Sequence, residues 1–333
     1  MAALNAAALT LVDWAKRLDP KGQVDYIVEM LAQTNEMLTD MLWREGNLPT
    51  GHRVTIRTGL PDVFWRLYNQ GVTPSKSTTA QIDESTGMLE AWSEVDVKLA
   101  ALNGNTGAFR LSEAKAFLEA MNQEMASTVI YGNGGLAPEE FTGLAVRYSD
   151  LSAANGANIL DAGGAADHPD LTSIWLVAWG EETAYGIFPK GSKAGIEHND
   201  YKEVTVEVTA GVAGSRMRAL QERFTWDGGL CVKDWRYIVR IANINIAELG
   251  LSGEPDLLEL MEHAEELLPN RLGTPVFYVN RTIRRHLRRM TRERVTGGGG
   301  LTYENYAGKP ATMFGTTPVR IVDAILNTED QVA

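Results

Sequence analysis

The residues that could do chemistry in this chain are few, and their spacing forms no catalytic or metal-binding pattern. None of the five histidines has a His or Cys partner at the spacing that a zinc site needs. They are His52, His168, His198, His263 and His286. The sequence contains no GxSxG nucleophile motif, and no two carboxylates stand out as a buried acid and base. We therefore predict no catalytic residue, no metal ligand and no cofactor.

The single cysteine, Cys231, does not change this prediction. A thiol nucleophile needs a histidine base, and no histidine lies close to Cys231 in the sequence. Its neighbours Leu230 and Val232 indicate a strand, so Cys231 is predicted to be a small buried apolar side chain. One cysteine cannot form an intrachain disulfide, which favours a reducing cytoplasm as the setting for folding.

A run of arginines is the sharpest local pattern. Seven arginines fall within 14 residues on a helix predicted from about residue 280 to residue 294, among them Arg281, Arg285, Arg288 and Arg292. This helix either binds DNA or compensates acidic groups, such as those of residues 256–266 or of a subunit boundary. The formal net charge of -12 favours compensation, because proteins that neutralise DNA phosphates along their length are normally basic.

Length and composition set the general class. The 333 residues, of which 44% are apolar and 22% charged, indicate a folded chain with two domains or one domain with large excursions. No apolar stretch reaches the roughly 18 residues that a membrane helix needs. The N-terminus lacks the basic region and apolar core of a signal peptide. We expect neither membrane insertion nor secretion.

The first 45 residues are predicted to form an arm of two helices. Apolar residues recur at helical spacing over about residues 4–18 and again over about residues 24–43. No strands lie beside these segments in the sequence to give them a local core. The arm is therefore expected to lie on another surface.

Two alternating segments predict a ribbon of two strands. Residues 52–58 and 89–99 alternate between apolar and polar side chains, and about 30 mostly polar residues connect them. An isolated hairpin is only marginally stable in water, so a neighbour should hold this one. Arg53 and Arg57 on the first strand can pair across the ribbon with Glu90 and Glu94, or with another subunit.

The remaining elements predict an α+β chain. They are a helix over residues 112–131, loops over 141–170, strands over 171–250, an acidic helix over 255–268, a strand over 276–279, the basic helix, and strands over 311–314 and 319–324. Ser112 is predicted to cap the first helix, and residues 227–229 to form a hairpin turn.

Five segments of the chain resemble segments of one protein family. They are GLPDVFWRLYNQGVTPSKS at 59–77, TSIWLVAWG at 172–180, AYGIFPKGS at 184–192, TPVFYVNRTIRR at 274–285 and GTTPVR at 315–320. Together with the order of elements, they resemble the major capsid proteins of tailed bacteriophages, which have the Hong Kong 97-like phage capsid fold. Among these the sequence is most similar to capsid proteins of Bordetella-type phages.

The resemblance implies a division of the chain into five regions. Residues 1–46 would be the N-terminal arm and 47–102 the extended loop. Residues 103–164 would be the peripheral domain with its long spine helix, 165–269 the axial domain, and 270–333 a return to the peripheral domain.

The resemblance also implies a structural, non-enzymatic function. Many copies would assemble as pentamers and hexamers, in the bacterial host cytoplasm, into the icosahedral head shell of the virion. Expected partners are a portal, a separate scaffolding protein, since the arm starts almost at Met1, and optionally a decoration or cement protein. Double-stranded DNA would be enclosed without sequence-specific binding, and no membrane is involved. An encapsulin-like nanocompartment shell and a metabolic enzyme are the alternatives.

Residues of two regions are expected to make contacts in such a shell. The expected inter-subunit contacts are Arg53, Arg57, Trp65, Arg66, Lys76, Glu90 and Glu94. Trp65 and Arg66 either contact a neighbouring subunit or pack within the loop itself. One type member of the family carries a covalent cross-link through a lysine, but only Lys76 can be matched to it. Arg281, Arg285, Arg288 and Arg292 would face an acidic partner or the inner surface near the DNA.

Overall fold

The computed structural model describes residues 33–102, 106–165, 168, 170–207, 216–251, 255–269, 272–293, 301–306 and 309–333. The chain divides into two compact units. Met88–Met125 and Gly195–Asp227 make up most of the smaller unit; the larger unit contains Thr34–Gly87, Ala126–Ala194 and Gly228–Ala333. The helix predicted over residues 4–18 lies outside the described residues, as does most of the helix predicted over 24–43.

The described elements confirm the α+β class. The helices are α1 (Met37–Asp40), α2 (Val97–Ala100), α3 (Thr106–Tyr131), α4 (Leu144–Arg147), α5 (Leu257–Glu266) and α6 (Arg281–Glu293). The strands are β1 (Trp43–Glu45), β2 (Gly51–Gly59), β3 (Thr78–Ser85), β4 (Gly87–Asp96), β5 (Ile159–Asp161), β6 (Leu171–Trp179), β7 (Ala184–Phe188), β8 (Glu197–Glu207), β9 (Arg216–Val232), β10 (Ile238–Asn245), β11 (Thr274–Val279), β12 (Leu301–Tyr306), β13 (Lys309–Phe314) and β14 (Thr317–Ile321).

Strand β6 forms the centre of the larger unit. All nine of its residues are buried, as expected for a continuous apolar strand covered on both faces. Strands β10 and β11 run antiparallel along its two edges. Strand β5 lies parallel to β10, and β14 lies parallel to β11. The apolar run predicted from residue 174 is therefore the central strand of a mixed sheet.

Two capped helices cover this sheet. Leu176 and Phe277 belong to one buried apolar cluster with Met261 of α5 and Leu287 of α6. The carboxylate of Asp256 accepts hydrogen bonds from the first turn of α5, which is why that helix begins there. Asn280 does the same for α6, accepting the backbone N–H of Ile283 at 2.8 Å. The amphipathic stripes read from the sequence thus become the core of the larger unit.

A buried ion pair ties the C-terminal segment to the sheet. Arg240 of β10 donates to Glu329 at 2.8 Å, and both side chains are buried. Arg240 also donates to the backbone oxygen of Tyr148 at 2.7 Å and to the Ser173 hydroxyl at 3.0 Å. Glu329 accepts further hydrogen bonds from Ser173 and Tyr131. These hydrogen bonds compensate both charges for the water that they lose.

A hairpin and a helix build the smaller unit. Strands β8 and β9 pair antiparallel, and β4 is the next strand beside β9. Val95 and Phe109 lie in a small core that partly buried Leu220 completes. Arg110 of α3 pairs with Glu222 and, at 2.8 Å, with Asp200. Helix α3 is thereby fixed to the hairpin by both apolar packing and ion pairs.

The ribbon differs from the prediction in its second strand. Strand β2 pairs with β3, with Val54 opposite Ile82 and Ile56 opposite Ala80. The predicted pairing of residues 52–58 with residues 89–99 is therefore wrong. Strand β3 is closer in sequence, so the loop that must be closed is shorter and costs less entropy. Residues 60–77 form the ribbon tip.

The segment predicted as the second ribbon strand has another position. It forms β4, which belongs to the smaller unit from Met88 onward. The strand ends at Asp96, because the Asp96 carboxylate accepts the backbone N–H of Lys98 at 2.7 Å and caps α2.

Two predicted helix boundaries are also wrong. Helix α3 begins at Thr106, so Ser112 is an interior residue rather than the cap; packing of buried Phe109 supports the additional turns. Helix α1 ends at Asp40, and extended backbone at Met41 leads into β1. Trp43, predicted as the helix end, instead lies opposite Gly186 of the parallel strand β7.

The predicted hairpin turn at residues 227–229 is wrong as well. Strand β9 runs through this segment without a break. A Cβ atom on Gly229 would lie 2.6 Å from the backbone oxygen of Ser85. Gly229 is needed because two backbones lie too close together for a side chain. In the sequence, a glycine required for this reason looks the same as a glycine of a turn.

Replacement of Glu329 by alanine should destabilise the chain strongly. The change leaves the buried Arg240 guanidinium without its carboxylate, and breaking a buried pair in this way costs about 3–5 kcal/mol. Urea unfolding of unassembled protein should show that the free energy of unfolding falls by this amount. Asp330→Ala, next in the chain and exposed, is the matched control and should change little. An equal, small effect of both changes would refute a structural role for the pair.

Candidate functional site

The ribbon tip is the most exposed apolar segment of the described chain. Every residue from 60 to 77 is exposed. Among its large apolar side chains, Trp65 is 104% exposed, Tyr68 97% and Val63 88%. Monomeric proteins rarely leave such a continuous apolar stretch in water, so the tip is a candidate binding surface.

Only a few hydrogen bonds give the tip its shape. The Ser75 hydroxyl donates to the backbone oxygen of Asp62 at 2.6 Å, which joins its two sides. Gln70 donates its backbone N–H to the oxygen of Leu67 at 3.2 Å, and Asn69 has a positive φ of 64°. The Arg66 guanidinium donates to the Gln70 oxygen at 3.3 Å, a contact within the loop that leaves the side chain exposed.

The base of the ribbon is fixed to the larger unit. Val54 lies in a buried apolar cluster with Tyr185, Ile187 and Cys231. Glu84 of β3 accepts two hydrogen bonds from Arg147, at 2.8 and 2.6 Å. A bidentate, largely buried pair of this kind is both strong and directional. The ribbon is therefore held at one end and uncovered at the other.

Two titratable groups at the ribbon base are kept neutral by burial. The imidazole of His52 lies 3.0 Å from the Tyr185 hydroxyl, and burial, with the charges of Arg44 and Lys233, lowers its pKa. Burial raises the pKa of the Cys231 thiol to about 11, so the thiol is not a nucleophile at neutral pH. Cys231 is buried, as the sequence predicts.

The charged residues expected at subunit contacts have separate environments. Arg53 forms a bidentate pair with Asp83 across the ribbon, at 2.6 and 2.7 Å. Glu90 accepts the indole N–H of Trp92, and Glu94 accepts an amide N–H of Gln221 at 2.7 Å. The ribbon does pair its own charges, but Asp83 is the partner. Asp83 lies on β3, which the alternating pattern did not indicate as the second strand of the ribbon.

Arg57 and Lys76 are both exposed on the ribbon and its tip. They add positive charge to a segment that the rest of the described chain leaves uncovered. Neither was distinguishable from an ordinary surface cation by sequence alone.

The basic helix α6 has a buried apolar side and an exposed arginine side. Arg281 pairs with Asp323 at 2.7 and 2.8 Å, so one of its arginines does compensate an acid, although not one of residues 256–266. Arg285 and Arg288 are exposed. The side chain of Arg292 lies outside the described residues.

Within the described ranges, no three His, Cys, Asp or Glu side chains come together to hold a metal ion. No helix in the described part of the chain is both long and apolar enough to cross a membrane.

Solved structures with the same arrangement are bacteriophage capsids. The structure of bacteriophage epsilon15 is 34% identical over 100% of this chain and 99% of that chain, with a TM-score of 0.78. The capsid of bacteriophage JBD30 is 9% identical, covers 89% of this chain and 93% of that chain, and has a TM-score of 0.51, which shows the fold alone. The chain is thus a shell-forming capsid protein with the Hong Kong 97-like fold.

The family follows from the sequence match. Residues 19–333 match the family of the major capsid protein GP7, and the chain belongs to that family. Its place is the capsid of the virion. No curated protein matches the chain. The holo-SrpI encapsulin of Synechococcus elongatus PCC 7942 is a distant match, 11% identical over 72% of this chain and 96% of that chain, with a TM-score of 0.45.

Acid should weaken the fold through His52. Its pKa in the folded state lies below the ordinary value of about 6.5, so its contribution to stability is complete above that pH. The contribution is lost as the pH falls from there through the lower pKa of the folded state. Urea unfolding between pH 7.5 and 5 should therefore show a steeper loss of the free energy of unfolding for the wild type than for His52→Gln. The same dependence of that free energy on pH in both proteins would contradict a role of His52.

Proposed function

We propose that the ribbon tip of each copy lies over an adjacent copy and thereby holds the shell together in pentamers and hexamers. The observation that carries this proposal is the uncovered apolar surface of residues 60–77 on a ribbon whose base is firmly anchored. A contact that buries large aromatic side chains and arginine has the composition of an energetic hot spot. Because each copy gives one tip and receives another, weak single contacts add up over a closed shell.

The five regions keep their proposed roles. Residues 1–46 act as the arm, 47–102 as the extended loop, 103–164 as the peripheral domain with the spine helix, 165–269 as the axial domain, and 270–333 as the return to the peripheral domain. Helix α3, 26 residues long, supports the role of a spine.

Seven residues are proposed to face neighbouring copies. Trp65, Arg66 and Lys76 of the tip make the central contacts. All three side chains are exposed, and Arg66 and Lys76 also offer a partner positive charge. Arg53, Arg57, Glu90 and Glu94 add charged contacts at the margin, where each contributes less than a buried group.

The shell is proposed to work with other components and without enzymatic activity. A separate scaffolding protein, a portal and optionally a decoration or cement protein complete the head, which assembles in the host cytoplasm without contact to a membrane. Arg281, Arg285, Arg288 and Arg292 face the interior or an acidic partner. The net charge of -12 suits a container that encloses double-stranded DNA without gripping it. Capsid proteins of Bordetella-type phages are proposed as near relatives.

Reversal of the Arg66 charge should prevent assembly but not folding. Arg66→Glu places an anion at the centre of the tip contact, and loss of such a contact costs on the order of 2 kcal/mol per copy. Electron microscopy and sedimentation velocity should show far fewer shells, while circular dichroism stays unchanged. Lys193→Glu, an equal charge change at another exposed site, should assemble normally. Normal shells from Arg66→Glu would refute the proposed contact.

A further inference from the structure

One face of the smaller unit's sheet carries an exposed aromatic and acidic surface. Along β4, Ser93 and Val95 are buried, whereas Glu90, Trp92 and Glu94 point the other way and are exposed. The apolar core with Phe109 lies on the buried side. The opposite face, which we name the open face, therefore combines aromatic and acidic side chains.

An aromatic pair forms the centre of the open face. The rings of Trp92 and Tyr201 stack with centroids 5.7 Å apart and an angle of 15°. The Arg223 guanidinium lies 5.6 Å from the Trp92 ring and 5.9 Å from the Tyr201 ring. Regular alternation along β8 places Tyr201 on the same side as Glu197 and Asn199, and Asn199 lies opposite Arg223. The register shift between Asp200 and Lys202, with Lys202 at a positive φ of 60°, interrupts the pairing of β8 with β9 at Tyr201.

Carboxylates surround this aromatic pair. Glu94 accepts a hydrogen bond from Gln221, and Glu197 lies opposite Thr225 in the register of β8 and β9. Burial and the negative charges of Glu197 and Glu90 raise the pKa of Asp227, which Arg223 opposes. Four acids against Arg223 leave the face with an excess of negative charge.

The ribbon tip has the complementary character. It carries two cations, Arg66 and Lys76, against one anion, Asp62, and its exposed rings are Phe64, Trp65 and Tyr68. Aromatic rings and arginine are the side chains that best fill a surface of this kind, and opposite charges at its margin select the partner. Cation–π contacts with Trp92 and Tyr201 are also available to Arg66.

We infer that the open face, centred on Trp92 and Tyr201, is the surface on which the ribbon tip of a second copy docks. This inference rests on the proposed function, because it needs the tip to leave its own copy. It adds the receiving surface, and it gives Glu90 and Glu94 a defined partner in Arg66 and Lys76.

A photo-cross-linking experiment tests the receiving surface directly. Trp65 is replaced by p-benzoylphenylalanine, which keeps an aromatic side chain, in a mixture of isotopically heavy and light copies. Assembled shells are irradiated and the cross-linked peptides identified by mass spectrometry. We expect heavy-to-light cross-links from residue 65 to peptides that contain Trp92, Tyr201 or Arg223.

Other outcomes of this experiment separate the two ideas. Heavy-to-light cross-links to any other surface would overturn the open face as the docking site but leave the proposed function intact. Cross-links found only between peptides of one isotopic kind would place the tip on its own copy and overturn both.

A charge exchange provides the second test. Glu90→Lys combined with Glu94→Lys should reduce the yield of shells about tenfold or more, the factor that 1.4 kcal/mol of repulsion produces. Adding Arg66→Glu and Lys76→Glu to the same chain should restore assembly. The matched control combines Glu139→Lys with Asp330→Lys, at two other exposed acids. In that chain the same tip changes should lower the yield of shells as much as they do in the wild type, without any rescue. Failure of the tip changes to rescue the first pair, in chains that remain folded, would overturn the inference.

Discussion

The apolar side chains of residues 60–77, which are exposed to water, are the constraint on which the proposed function depends. Trp65, Tyr68 and Val63 are almost fully exposed in the described chain. Apolar area exposed to water raises the free energy of separate copies relative to a state in which that area is buried. Covering the tip with a second surface would remove this apolar area from water. In the proposed function, the same exposure that would be a liability in a monomeric protein supplies free energy for joining copies.

An uncovered tip is useful only if its position is controlled, and the ribbon base supplies that control. Val54 packs against Tyr185 and Ile187, while Arg147 holds Glu84 with two hydrogen bonds. Both contacts lie at the same end of the two strands. The short hydrogen-bonded turn at the tip leaves the far end free to adjust. This division suits a subunit that must make the same contact at slightly different local curvatures.

In the larger unit, the first described residues contact the C-terminal segment. Thr34 and Asp323 exchange two hydrogen bonds, and Arg281 binds the same carboxylate. The buried pair of Arg240 and Glu329 then fixes the last residues to the central sheet. These contacts join segments that are far apart in the sequence within the larger unit, to which the ribbon base is also attached.

The sequence by itself determined the classes of elements and the absence of any catalytic pattern. The buried run at residues 174–179 and the acidic and basic helices could be predicted, because each depends on local periodicity or composition. The resemblance of five short segments was sufficient for the fold. Only the tertiary structure decided that β2 pairs with β3, that β9 passes through Gly228 and Gly229, and that Arg53 binds Asp83. Strand pairing and close backbone approach depend on residues far apart in the chain. Local alternation identifies a strand but does not show which of two equally suitable strands pairs with it.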